Sequence, residues 1–222
     1  MIRRLIAPLL FGFAGAAILI WLGVWQLHRL EWKEGVLAEI DARIGAAPVA
    51  LPAAPSEAAD KYLPVVAQGR LTGEEVFVLT SVKLRGPGHR LIAVFETGGR
   101  RVLADLGFRR MDEGEAPLPR GSARIVGNLH WPDEVDGFTP PPEGDLFFAR
   151  DVAAMAAALS TEPVLIVARE VTPPVAGVSP MPVDSSGIPN DHREYAITWF
   201  SLAALWLGMT ALLVWRIRRR TA

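Results

Sequence analysis

Two stretches of this chain contain no charged side chain: APLLFGFAGAAILIWLGVWQL at 7–27 and YAITWFSLAALWLGMTALLVW at 195–215. A helix needs about 20 apolar residues to cross the hydrocarbon of a bilayer. Both stretches therefore predict transmembrane helices. A secretory signal would also begin with basic residues such as Arg3 and Arg4, but the first run is longer than a signal core. The residues at its end and beyond, WQLHRLEWKEG, contain no small-residue cleavage pattern, so the run predicts an uncleaved anchor.

Between the runs the periodicity changes twice. Trp32, Val36, Ile40 and Ile44 recur every fourth residue, which predicts an amphipathic stalk helix over 28–48, closed near Gly45, into which the first membrane helix continues or bends. APVALPAAP then predicts an extended linker. Short apolar stretches follow, separated by turn signals: VVAQGRL, EVFVLTSVKL, RLIAVFET, RRVLADLGFR, ARIVGNLHW and EPVLIVARE. Each predicts a strand. The Gly-Gly pair of ETGGR predicts a tight hairpin, and GPGHR an open turn. DVAAMAAAL predicts a short helix with Asp151 near its start, and a Pro-rich stretch at 173–189 returns the chain to the second run. Strands close in sequence favour antiparallel pairing. The fold expected is an α+β membrane protein: a two-helix transmembrane hairpin with an intervening, mainly antiparallel-sheet extracytoplasmic domain over 49–189.

Charge placement orients the hairpin. Arg3 and Arg4 precede the first helix, and Arg216, Arg218, Arg219 and Arg220 lie in the basic tail at 216–222. Basic residues near helix ends favour the cytoplasm, so both termini are expected there and the middle of the chain outside. The absence of a long Arg- and Ser-rich presequence favours a bacterial plasma (inner) membrane over a mitochondrial one.

Composition adds exclusions. Of 222 residues half are hydrophobic, the net charge is −1, and there is no cysteine. Bulk nucleic-acid binding has no electrostatic basis, and disulfides, thiolate metal sites and cysteine nucleophiles are ruled out. No HExxH, G-x-S-x-G, P-loop or GxGxxG motif is present. The acidic clusters MDEGE and PDEVDG are expected to be solvated turns, and the chain is not expected to be an enzyme.

Six of the seven tryptophans (Trp21, Trp25, Trp32, Trp199, Trp206 and Trp215) lie in or beside the two apolar runs. Interfacial belts explain several, but Trp206 is mid-helix and needs a helix neighbour or a ligand. Of the four histidines, His89 and His130 suit surface or structural roles, whereas His28 follows the first run and His192 precedes the second. Trp21, Trp25, His28 and Trp32 share one helical face, as do His192, Tyr195, Trp199 and Trp206. If those faces meet, they form an aromatic slot with imidazoles at its mouth, suited to a flat apolar metal-bearing ligand such as haem. The same stripes can equally be ordinary helix-packing surfaces.

Several stretches resemble one family. LGVWQLHRLEWKEGVLAEIDARIGAAPVALP is similar to the opening of the SURF1 (Shy1) family and its GxWQ-x-x-R-x-x-WK signature, through Gly23, Trp25, Gln26, Arg29, Trp32 and Lys33. VLADLGFRR, GNLHWPDEVDGFTPPPEGDLFFARDVAAMAAAL and NDHREYAITWFSLA resemble later family motifs, the last of them NNHLQYAITWf. The resemblance implies an assembly factor for haem-copper cytochrome c oxidase that assists formation of the haem a centre. Its implied cofactor is haem a. Its implied partners are subunit I of the oxidase, haem A synthase and other oxidase assembly factors, and the lipid bilayer. Carried over, the ligand to the haem iron is His192; the aromatic slot read from the helical faces, with Tyr195, Trp199, Trp25 and Trp21, would then hold the porphyrin. Asp191, Arg193 and Glu194 depart from the usual motif; Arg193 could pair with a haem propionate. His28 as a second iron ligand lies outside the family signature. The alternative is a scaffold that holds a subunit I intermediate and binds no haem.

Overall fold

A computed structural model describes residues 2–113 and 117–221; the end of the acidic MDEGE turn, Gly114 and Glu115, lies outside it, as do Met1 and Ala222. The first helix, α1, runs unbroken over Ile2–Ile44. The expected membrane helix at 7–27 and stalk at 28–48 are one element, because nothing between Leu27 and Ile44 interrupts the backbone ladder. At 1.5 Å per residue its 43 residues extend about 65 Å, roughly twice the hydrocarbon thickness. Gly45 ends it, its N–H donating to Asp41 O at 2.9 Å. The last helix of the chain covers His192–Thr221, beyond the expected 195–215 at both ends. Both helices are long and apolar enough to cross a membrane. Phe11 is 70% exposed and Leu205 61%, so neither helix is the core of a water-soluble fold.

Residues 40–184 form a separate compact unit. In chain order it contains β1 (Val49–Ala50), α2 (Glu57–Asp60), β2 (Pro64–Val82), β3 (Gly86–Thr97), β4 (Arg100–Arg110), β5 (Gly121–Leu129), β6 (Leu146–Phe147), α3 (Val152–Leu159) and β7 (Leu165–Thr172). The final helix is thus α4. The sheet is mixed. β2–β3, β3–β4, β5–β7 and β2–β5 pair antiparallel, while β4–β7 is parallel. Because β2 pairs with both β3 and β5, five strands close into a ring.

One long strand makes that closure possible. The sequence predicts two strands at 65–71 and 75–84; the structure has one, bent at Thr72–Glu74, where the β2–β3 register shifts. Gly73 takes φ +84 there, a conformation that costs glycine little. The half before the bend pairs with β5 along its length and with β3 only at Arg70 and Leu71, and the half after it pairs with β3. The GPGHR segment is strand rather than turn, and the hairpin bends at Lys83–Arg85 instead. Gly98 and Gly99 form the predicted two-residue turn with positive φ at both positions. The expected linker contributes β1, parallel to β2 through Val49–Val65.

The runs RLIAVF, RVLADL and VLIVAR lack alternation because both faces of their strands are covered. Leu91, Ala93, Phe95, Ala104, Ile125 and Ile166 fill the inside of the ring. Their sequence neighbours Ile92, Leu103, Leu165 and Val167 pack outward against Val152, Met155 and Ala156 of α3. Asp151 caps α3, accepting from Ala154 N at 3.0 Å.

Charge is buried at one place on this outer face. Asp105, fully inaccessible, accepts from Arg90 at 2.7 Å and lies 3.5 Å from Arg150. Arg90 also donates to Met181 O at 2.9 Å, and Arg150 Nε donates to Glu134 Oε1 at 3.0 Å. A buried carboxylate without its cations would cost several kcal/mol. The cluster therefore pins the 131–151 loop and the returning segment near Met181 to β3 and β4. PDEVDG is thus partly structural, through Glu134.

His130 stacks on Tyr62 with ring centroids 5.3 Å apart. Burial, aided by the nearby Arg150 and Lys61 cations, pushes its pKa down to about 4. An unfolded chain takes up this proton near pH 6.5, and the folded one refuses it until near pH 4. Stability should therefore fall as pH drops from 6.5 to 4, by roughly 2 kcal/mol once partial exposure is allowed for. Thermal unfolding of the full chain in detergent at pH 7 and pH 4.5 measures this, and His130→Gln should flatten the dependence across that window.

Candidate functional site at the paired helices

The two long helices pack along a seam of small residues. On α4 the less exposed positions are 192, 196, 199, 203, 206, 210, 214 and 217, steps of three and four residues that keep one stripe on a left-handed seam. On α1 the buried positions include Gly12, Ala16, Gly23 and Gln26. A side chain at Gly12 would run into Thr210, at Gly15 into the Trp206 indole, and at Gly23 into the Phe200 ring. The partners descend along α4 as the positions rise along α1, so the helices are antiparallel. Between apolar helices in lipid the attraction comes largely from van der Waals packing, and the α1 glycines make room for these α4 side chains.

Two polar side chains of the seam find partners, one in the other helix and one in its own. Trp206 Nε1 donates to Gly12 O at 3.0 Å, with the Phe11 ring 5.3 Å from the indole. The mid-helix tryptophan has a helix neighbour, as one of its two expected explanations required. Thr210 Oγ1 donates to Trp206 O at 2.8 Å.

At the other end of the seam stands His192, the first residue of α4. Its Nδ1 lies 2.7 Å from Gln26 Oε1. Gln26 is 8% exposed. An amide oxygen only accepts, so Nδ1 is the donor of this pair, and in the neutral ring that tautomer leaves Nε2 its lone pair. Among the described residues no group of three or more His, Asp or Glu is placed to hold a metal ion. The donor set here is one imidazole, which suits a metal that brings its other donors with it.

The structure places the predicted site residues unevenly. His192 and Trp199 lie on the seam, as the α4 stripe predicted. Tyr195, 55% exposed, and Arg193 point away from it. The α1 stripe is reversed. Trp21, Trp25, His28 and Trp32 are all exposed, Trp21 at 64%. At about 100° per residue they lie half a turn from Gly12, Ala16 and Gly23. No aromatic slot therefore closes between the helices, and His28 does not face His192. The α1 positions that meet α4 are glycines into which Thr210, Trp206 and Phe200 pack, so the α1 indoles, half a turn away, take no part in the contact. Arg29 instead lies over the Trp32 ring at 3.9 Å. Gln26 was missed as a site residue, although an amide at the end of an uncharged run is the kind of polar group that marks function in membranes.

Comparison with known proteins gives a consistent result. The SURF1 family model matches residues 13–204. The chain is 31% identical over 218 residues to a SURF1-like protein of Monosiga brevicollis, covering 86% of this chain and 82% of that one. It is 28% identical over 214 residues to Surfeit locus protein 1 of Rattus norvegicus, covering 82% and 68%. It is 27% identical over 213 residues to Surfeit locus protein 1 of Homo sapiens, covering 82% and 69%.

The seam makes a mechanical prediction. Gly12→Leu should overpack the contact at a cost of about 1–3 kcal/mol. Cysteines placed at Ala16 and Ala203 in this cysteine-free chain should cross-link readily in membranes. The yield should drop sharply when Gly12→Leu is added.

Proposed function

We infer the function of this chain from its kinship and its helix pair: it belongs to the SURF1 family, and it acts in the assembly of cytochrome c oxidase. It assists formation of the haem a centre of subunit I by holding haem a at the edge of the membrane, without chemical turnover. Haem a would supply an iron that accepts an imidazole, and His192 is the residue that would hold it. The observation that carries this reading is the His192–Gln26 pair at 2.7 Å, which leaves Nε2 free to ligate. Arg193, exposed beside it, is the group available to a propionate. The partners proposed are subunit I, haem A synthase and other oxidase assembly factors.

The setting proposed is a bacterial inner membrane with both termini cytoplasmic. Arg3, Arg4 and the basic last turn of α4, Arg218–Arg220, support that orientation. The 40–184 unit then lies on the outer side.

A second reading has its own observation. The stripe of Trp21, Trp25 and Trp32 faces outward and remains exposed, which suits docking of a client helix. In that case the chain is a scaffold for a subunit I intermediate and binds no haem.

Purification after co-expression with haem a synthesis separates the two. His192→Ala should lower haem content about tenfold while membrane insertion is unchanged. Equal haem in mutant and parent excludes the ligand role and leaves the scaffold.

A further inference from the structure

We propose that Gln26 is a positioning residue for His192: it fixes the imidazole as the Nδ1–H tautomer and directs the Nε2 lone pair away from the helix pair. The importance of this orientation to function rests on the reading of His192 as an iron ligand. The positioning itself is independent of any cofactor.

Gln26 is more than nine-tenths buried at the end of an otherwise uncharged run. A buried amide without a partner is costly, and its oxygen has one in His192 Nδ1 at 2.7 Å. His192 needs the contact as much. It is the first residue of α4, where a helix frays and a ring rotates easily. An unconstrained neutral imidazole carries its proton mainly on Nε2, which would block ligation at the less hindered nitrogen. An acceptor aimed at Nδ1 reverses that preference, as the outer partners of metal-bound histidines do.

The reach of Gln26 is itself set by packing. Gly23, one turn earlier, admits the Phe200 ring, and Ala196, one turn into α4, is buried beside the seam. The small side chains bring the helices close enough for the amide to span the gap. Gln26 thereby couples the pairing of the helices to the chemistry of one nitrogen.

The test uses the full chain in nanodiscs with 15N-labelled histidine and no haem. Long-range 15N–1H spectra report the tautomer of each ring, and the His192 signals are assigned by their loss in His192→Ala. Parent protein should show Nδ1–H, Nε2-bare His192. Gln26→Met, similar in shape but without an acceptor, should shift it toward the Nε2–H form, and Gln26→Glu should restore Nδ1–H. An unchanged His192 tautomer in Gln26→Met overturns the proposal. Haem-loaded samples form a second arm: Gln26→Met should bind about tenfold more weakly than parent, and Gln26→Glu should bind but with a shifted visible spectrum. If the tautomer switches while His192→Ala keeps full haem content, the positioning role stands and the ligand reading falls.

Discussion

Close approach of two helices governs everything that gives this chain a candidate site. Gly12, Gly15 and Gly23 on α1 lie against Thr210, Trp206 and Phe200 on α4, with Ala16, Ala196 and Ala203 buried among them, and lipid offers no hydrophobic drive to hold them together. Van der Waals contact must do so, which demands short distances and therefore small side chains. The same shortness lets Trp206 reach a backbone carbonyl and Gln26 reach His192. Larger residues on the seam would separate both pairs at once.

The 40–184 unit is held by a different balance. Its strands are apolar on both faces, so the ring and α3 supply most of the burial. Asp105 then fixes segments that have little apolar surface of their own, the 131–151 loop and the return near Met181, through Arg150 and Arg90. Asn128, also fully buried, donates to the last carbonyls of α1 and to the turn before β2, at Ile44 O and Tyr62 O, 3.1 and 2.9 Å away. Irregular backbone inside this unit is thus tied down by single polar side chains at defined points.

Much of this was legible in the sequence, and the failures share a cause. Helix existence, the Gly98–Gly99 turn and the Asp151 cap follow from local rules of period, φ and capping. The bend in β2 did not, because TGEE looks like a turn until β5 is available to pair with the first half. GPGHR was misread for the same reason: Gly88 and His89 are strand residues through pairing with β4. In the membrane, weight given to aromatic residues selected His192, Trp199 and Trp206 on α4 correctly but not Tyr195, and on α1 it selected the face away from the contact. Glycine and alanine carry the contact there, and a periodicity built on large side chains does not register them.

The shared strand has a consequence for the order in which the chain is made. Pro64–Leu71 must wait for Gly121–Asn128 before its second edge is paired, and β4 must wait for β7. A nascent chain emerging from its amino end therefore carries two unsatisfied edges until nearly all of this unit has been synthesised. Truncation anywhere before Leu165 would leave the ring unclosed, so this unit ripens late and as a whole.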